Sequence, residues 1–153
     1  MKIKSIILCI FIISTVMSVF PQDAFTDMTE SLKKMTEIRF DLLDIAKYSQ
    51  GNDRSIAMKG VSVVVENSYK IEWIRELIYI INIINNQDDI EKVFSVLLMR
   101  IKRVESEIDL SIEEVNLEIA HAQSTGIVST LNILKQELRR LKDLLYPYLL
   151  LLN

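Results

Sequence analysis

Apolar residues recur along this chain at intervals of three, four or seven positions, which is the spacing of one buried face of an α-helix. Four such segments follow one another, over residues 24–48, 53–85, 88–123 and from residue 127 onward. The fourth segment has the most regular pattern, formed by Ile127, Leu131, Leu134, Leu138, Leu141, Leu145, Tyr148 and Leu152. Because proline cannot donate the helical hydrogen bond, Pro147 predicts a kink or an end of this helix near Tyr146.

Two of the patterns contain irregularities. In the first segment the position between Met35 and Leu42 holds Arg39, so the apolar stripe is interrupted there. The second segment carries two adjacent stripes, and one of them contains aromatic residues. We expect Trp73, with Tyr69 and Leu77, to lie in the core rather than around a ligand.

The connections between the four segments are short and contain turn-forming residues: "SQGND", "NNQDD" and "STG". Short connections make sequential helices antiparallel neighbours. The sequence therefore predicts an all-α fold, an up-down-up-down antiparallel four-helix bundle with long second and third helices, preceded by an N-terminal signal segment. Residues 19–153 form a single domain in this interpretation.

Residues 1–18 have the pattern of a secretory signal peptide. Lysines precede an apolar run over residues 6–13, and Val16 and Ser18 occupy the positions that signal peptidase recognises. We expect cleavage after Ser18 and export to a periplasm, a cell envelope or the extracellular space. The main alternative is an uncleaved anchor helix over residues 5–20, although a spanning helix needs roughly 20 apolar residues. A lipid on Cys9 is disfavoured, because the apolar run before it is too short.

Composition and charge argue against disulfide-stabilised, cysteine–metal and nucleic-acid-binding proteins. Cys9 is the only cysteine, so cleavage would leave a domain without disulfides or cysteine-bound metal. The net charge is −3, and loss of Lys2 and Lys4 would make it more negative by two. An acidic chain has no general attraction for nucleic acid, so no nucleic-acid partner is expected.

Enzymatic motifs are almost absent. The three glycines lie far apart, so the sequence has no glycine-rich phosphate loop. "EIAH" is a Glu-x-x-His spacing on a helix, as in di-iron bundle proteins, but those sites need two such motifs and this chain has one histidine. Glu114, Glu118 and His121 remain weak candidates for a carboxylate-rich metal site, and we expect no cofactor, no metal and no catalytic residue.

Charged residues of the last two helices predict interhelical pairing. Lys135, Arg139, Arg140 and Lys142 resemble a basic patch, but an antiparallel hairpin brings them beside the acidic residues of the third helix. We therefore interpret the patch as paired and solvated surface, with each exposed pair contributing about 0–1 kcal/mol.

The helix lengths suggest one interaction surface. The second and third helices exceed the others, so their excess should project at the turn that joins them. This projecting segment, residues 78–98, is called the hairpin tip below. It is apolar on too many sides for an isolated hairpin, so either the C-terminal tail covers it or it contacts a partner. The predicted surface consists of Tyr79, Ile80, Ile83, Ile84, Val93, Leu98, Leu149 and Leu152.

The function expected from the sequence is that of a small exported binding module of a bacterial cell envelope or the extracellular space. Its partner would be an unknown protein or a second copy, with contact to a membrane surface also open. The alternative function is a membrane-anchored structural envelope protein held by the uncleaved N-terminal helix.

Overall fold

The structure, a computed structural model, describes residues 22–84 and 86–150. They form four α-helices: α1 (Gln22–Tyr48), α2 (Gly51–Ile83), α3 (Gln87–His121) and α4 (Thr125–Leu149). Contacts join α1 to α2, α2 to α3, α3 to α4, and α4 back to α1. The predicted four-helix bundle is therefore confirmed, while the predicted signal segment and Leu152 lie outside the described residues.

The helix boundaries differ from the predicted ones by a few residues. Gly51 has φ of +60° and begins α2, so it serves the turn between α1 and α2 as expected from its conformational freedom. The residue that caps α3 is Asn86 rather than Asp88, since the Asn86 Oδ1 accepts a hydrogen bond of 3.1 Å from the Asp88 N–H. "STG" belongs to the start of α4 and not to the end of α3.

One end of the bundle is shared by all four helices. Short connections join α1 to α2 and α3 to α4 there, and side chains link the two connections. The Asn52 Nδ2 donates to the His121 carbonyl oxygen at 3.2 Å, and the Gln123 N–H donates to the Asp53 Oδ1 at 3.0 Å. Since α2 and α3 have 33 and 35 residues against 27 and 25 for α1 and α4, the excess lies at the opposite end. At 1.5 Å per residue this excess is about 9–15 Å.

The core follows the predicted stripes along most of the bundle. Its fully buried members come from all four helices and include Met28, Met35, Leu42, Ile71, Ile74, Leu97, Ile101, Ile108, Leu131, Leu134 and Leu138. One polar contact is embedded in it: the Asn67 Nδ2 donates to the Val63 carbonyl oxygen and to the Ser111 Oγ, both at 2.9 Å. This side-chain bond between α2 and α3 fixes their relative register, because sliding either helix would leave buried polar groups unpaired.

A helix end near Tyr146, one of the two outcomes predicted for Pro147, is not found. The helix continues to Leu149, with Tyr148 buried in the core and Leu149 packed against it. A proline inside a helix costs about 3 kcal/mol, because it loses a backbone hydrogen bond and its ring crowds the carbonyl four residues earlier. Burial of one large apolar side chain contributes about 1.5–3 kcal/mol, so the packing of Tyr148 and Leu149 together offsets this cost.

Candidate functional site

The hairpin tip exposes part of the surface predicted for it. Tyr79 and Ile83 are each 57% exposed, and Ile80 is also exposed. Ile84 and Val93 are half-buried, as is Leu149 at the end of α4. The three exposed side chains lie on the last two turns of α2, so they form one apolar patch at the projecting end of the bundle.

Leu98 is the exception among the predicted surface residues. It is only 8% exposed and belongs to the buried core together with its neighbour Leu97. Because α3 packs against both α2 and α4, its buried face is wider than a single column of side chains. Leu98 is therefore a structural residue and not part of an accessible surface.

The aromatic residues of α2 are exposed, contrary to the prediction that they lie in the core, whereas Leu77 is half-buried and packs against the core. Tyr69 is 70% exposed and Trp73 is 37% exposed, and the Arg100 guanidinium lies 4.7 Å from the Trp73 ring centroid. Val65 precedes these residues on the same side of the helix and Ile80 follows them. The apolar surface of the tip thus continues along α2 toward the middle of the bundle.

Exposed apolar residues elsewhere have a different character. Leu110 and Leu117 on α3 are exposed, but acidic and polar residues surround them along the helix. Single exposed leucines of this kind are common on soluble proteins and indicate no site. Contiguity distinguishes the tip and the α2 stripe from these two leucines.

The three weak metal-site candidates make other contacts. The Glu118 Oε1 accepts a hydrogen bond of 2.6 Å from the Lys59 Nζ, which neutralises this carboxylate. The His121 Nδ1 lies 2.8 Å from the Leu117 carbonyl oxygen within its own helix, and Glu114 is exposed. Among the described residues, no three His, Cys, Asp or Glu side chains are grouped closely enough to hold a metal ion.

The basic residues of α4 are paired in part as predicted. The Lys142 Nζ donates to the Asp109 Oδ2 at 2.6 Å and lies 3.1 Å from the Glu105 Oε1, and these hydrogen bonds raise the Lys142 pKa. Arg140 instead reaches Glu30 of α1, at 3.4 Å. The pairing interpretation therefore holds for Lys142, whereas Arg140 links α4 to a different helix from the one expected.

A second charged group joins α2 to α3. The Arg103 Nε donates to the Glu107 Oε1 at 2.7 Å, and the Lys70 Nζ lies 3.2 Å from the other carboxylate oxygen. The hydrogen bond from Arg103 lowers the Glu107 pKa, with Lys70 adding to the effect against the opposing influence of burial. These side chains are explained by helix pairing and need no ligand.

Comparison with known proteins adds no further constraint. No family model, no curated protein and no solved structure matches the chain. None of the helices within residues 22–84 and 86–150 carries an apolar stretch long enough to cross a membrane.

Proposed function

We propose that the protein is a small exported binding module that acts without enzymatic chemistry and contacts another polypeptide through the hairpin tip. In the simplest version of this proposal, the other polypeptide is a second copy of the chain. Export is inferred from the signal-peptide pattern of residues 1–18, and the contact is inferred from the apolar patch at the projecting end.

The observation that supports the contact is the exposure of Tyr79, Ile80 and Ile83 on a two-helix projection. Full burial of one large apolar side chain contributes about 1.5–3 kcal/mol. Covering these three side chains therefore contributes several kcal/mol to the free energy of association. Other contacts in the interface add to this contribution, and the lost translational and rotational entropy opposes it. A helix laid against the tip would follow the usual pattern of apolar anchors three and four residues apart.

Sedimentation velocity over a range of protein concentrations tests the contact. We expect a reversible dimer that Ile83→Glu dissociates, because the new carboxylate would have to be desolvated in the interface. Ile133→Glu is the matched control, since Ile133 is exposed on α4 in the half of the bundle away from the tip. A wild-type protein that stays monomeric at millimolar concentration, or equal dissociation by both variants, would contradict association through the tip.

Intact mass of the protein from its native cell tests export separately. A soluble product that begins at Val19 supports the exported module. A full-length product in the membrane fraction supports the alternative, a structural envelope protein anchored by residues 5–20. The two results are independent of sedimentation, so failure of one part of the proposal does not obscure the other.

A further inference from the structure

The irregular position in the α1 stripe lies at the edge of the core. Arg39 is half-buried, and its neighbour Ile38, 1% exposed, fills the core position between the fully buried Met35 and Leu42. The Arg39 Nε is itself buried and donates no hydrogen bond to a described residue, while the guanidinium carbon lies 5.3 Å from the Phe40 ring centroid. A buried donor without an acceptor is unfavourable, so an acceptor supplied by a ligand would be favoured at this position.

Arg39 lines a groove between α1 and α2 with a cavity volume of about 400 Å³. Two other cations, Lys33 and Arg75, line the same groove, and Glu72 is its only acid. Arg75 lies 3.6 Å from Glu72, whereas neither Lys33 nor Arg39 has an ion-pair partner among the described residues. The groove is thus locally positive on a chain whose net charge is negative.

The remaining lining of the groove combines apolar and hydroxyl-bearing side chains from both helices. Leu32, Val64 and Val65 supply hydrocarbon surface, and Thr36, Ser68 and Tyr69 supply hydroxyls. Small-molecule sites typically have volumes of roughly 300–1,000 Å³ and combine apolar walls with a few polar groups, which is the composition found here. The volume suits a small molecule rather than a segment of folded protein.

We propose that this groove binds an anionic amphiphile, with its carboxylate or phosphate head paired to Arg39 and its hydrocarbon part against Leu32, Val64 and Val65. A guanidinium matches carboxylate and phosphate oxygens with two parallel hydrogen bonds, and it would gain an acceptor for the buried Nε. Arg75 and Lys33 add attraction for the same charge. The groove lies outside the tip, although Val65 and Tyr69 also belong to the apolar stripe that continues from the tip along α2. The ligand proposed here does not depend on the function proposed for the tip.

Calorimetric titration of the purified protein with four probes tests the chemistry: decanoate, decyl phosphate, decanol and inorganic phosphate. We expect saturable binding of one or both amphiphilic anions and at least tenfold weaker binding of decanol and inorganic phosphate. Preference for decanoate would indicate a free fatty acid, and preference for decyl phosphate a phosphate head group. Equal binding of decanol and decanoate, equal binding of phosphate and decyl phosphate, or no saturable binding of either anion would overturn the proposal.

Substitutions of Arg39 test its role. We expect Arg39→Met to raise the melting temperature of the protein alone, because the unsatisfied buried donor is removed, and to weaken binding of the anion at least tenfold. Arg39→Lys keeps the charge without the paired geometry and should retain intermediate affinity. Arg54→Met is the matched control, because Arg54 is exposed at the opposite end of α2 and does not line the groove.

The two readouts separate binding from a merely structural role. If Arg39 served only the fold, Arg39→Met would lower the melting temperature and leave the affinity of the folded fraction unchanged, which would overturn the proposal. Circular dichroism of each variant shows whether its helical content is retained. Should Arg39→Met fail to fold, the comparison of Arg39→Lys with wild type and Arg54→Met decides the question: affinity equal to wild type would contradict pairing to Arg39.

Discussion

At the scale of single residues, Tyr148 is the clearest case of a side chain whose properties depend on the fold. It is 2% exposed in the last turns of α4. Burial raises its pKa from 10.0 to about 12, and the negative charge of Asp27 on α1 adds to the increase. The remaining tyrosines, Tyr48, Tyr69, Tyr79 and Tyr146, are all exposed. The ionisation of Tyr148 should therefore be coupled to folding.

This coupling predicts a loss of stability at high pH. Between about pH 10 and pH 12 the unfolded chain releases the Tyr148 proton while the folded protein retains it, so the free energy of unfolding falls as pH rises through that range. Two pKa units correspond to about 2–3 kcal/mol. Urea unfolding measures this effect: between pH 10 and pH 12 the free energy of unfolding of Tyr148→Phe should fall by about 2–3 kcal/mol less than that of the wild type. The control is Tyr146→Phe, because Tyr146 is exposed. Parallel pH profiles for wild type and Tyr148→Phe would contradict the coupling.

At the scale of helices, Gly60 allows α2 to approach two neighbours closely. A β-carbon built on it would lie 3.0 Å from the Leu131 Cδ2 of α4 and 3.0 Å from the Leu42 Cδ1 of α1. The structure therefore gives this glycine a packing role. Small residues at helix crossings let the backbones come together at the expense of helix propensity.

Gly60→Val should therefore destabilise the bundle. Overpacking of a filled core costs about 1–3 kcal/mol, and we expect the midpoint of urea unfolding to fall accordingly. Gly126→Val is a matched control in α4, because a β-carbon there would meet only the Ser124 Oγ, at 3.6 Å. Its free energy of unfolding should stay within about 0.5 kcal/mol of wild type. Equal effects of the two substitutions would show that helix propensity, not close packing, governs Gly60.

The helices themselves were largely predictable from the sequence, because heptad spacing specifies both the element and its buried face. Burial on α2 was not. Periodicity placed Ile71 in one stripe of this helix and Tyr69 and Trp73 in another, but it did not show that the first stripe is the buried one. Which stripe is buried depends on where α1 and α3 pack, and that is a tertiary property. The capping residue of α3 was missed for a similar reason, since Asn86, Asp88 and their neighbours are all suitable caps.

At the scale of the whole molecule, the two candidate sites differ in how much the sequence reveals. The projection of the hairpin tip follows from helix lengths alone, and of the surface residues predicted for it Tyr79, Ile80 and Ile83 are exposed. The burial of Leu98 was missed because it depends on how the helices pack against one another. The groove requires α1 and α2 to lie side by side. The sequence offered one signal for it, the cation at Arg39 in an otherwise apolar stripe.

The projection of α2 and α3 beyond the other helices also predicts uneven stability. Regions with fewer packed neighbours open locally at a lower free energy than the global unfolding reaction. The prediction concerns a protein concentration at which the chain is monomeric. We expect the amides of residues 79–83 and 91–96 to exchange hydrogen at least tenfold faster than those of residues 60–71 and 104–115. A tenfold difference corresponds to an opening free energy that is lower by about 1.4 kcal/mol.

Hydrogen exchange measured by mass spectrometry or NMR checks this expectation. The dependence of the exchange rates on protein concentration also tests association through the tip. If the tip is the contact surface, protection of residues 79–83 and 91–96 should rise as the protein associates, while exchange in Ile83→Glu should stay fast at every concentration. Exchange at residues 60–71 and 104–115 serves as the internal control, since association through the tip leaves these amides unchanged. Equal protection of the tip and the bundle centre in the monomer would contradict the prediction, because it would mean that the projecting turns are as firmly packed as the four-helix core.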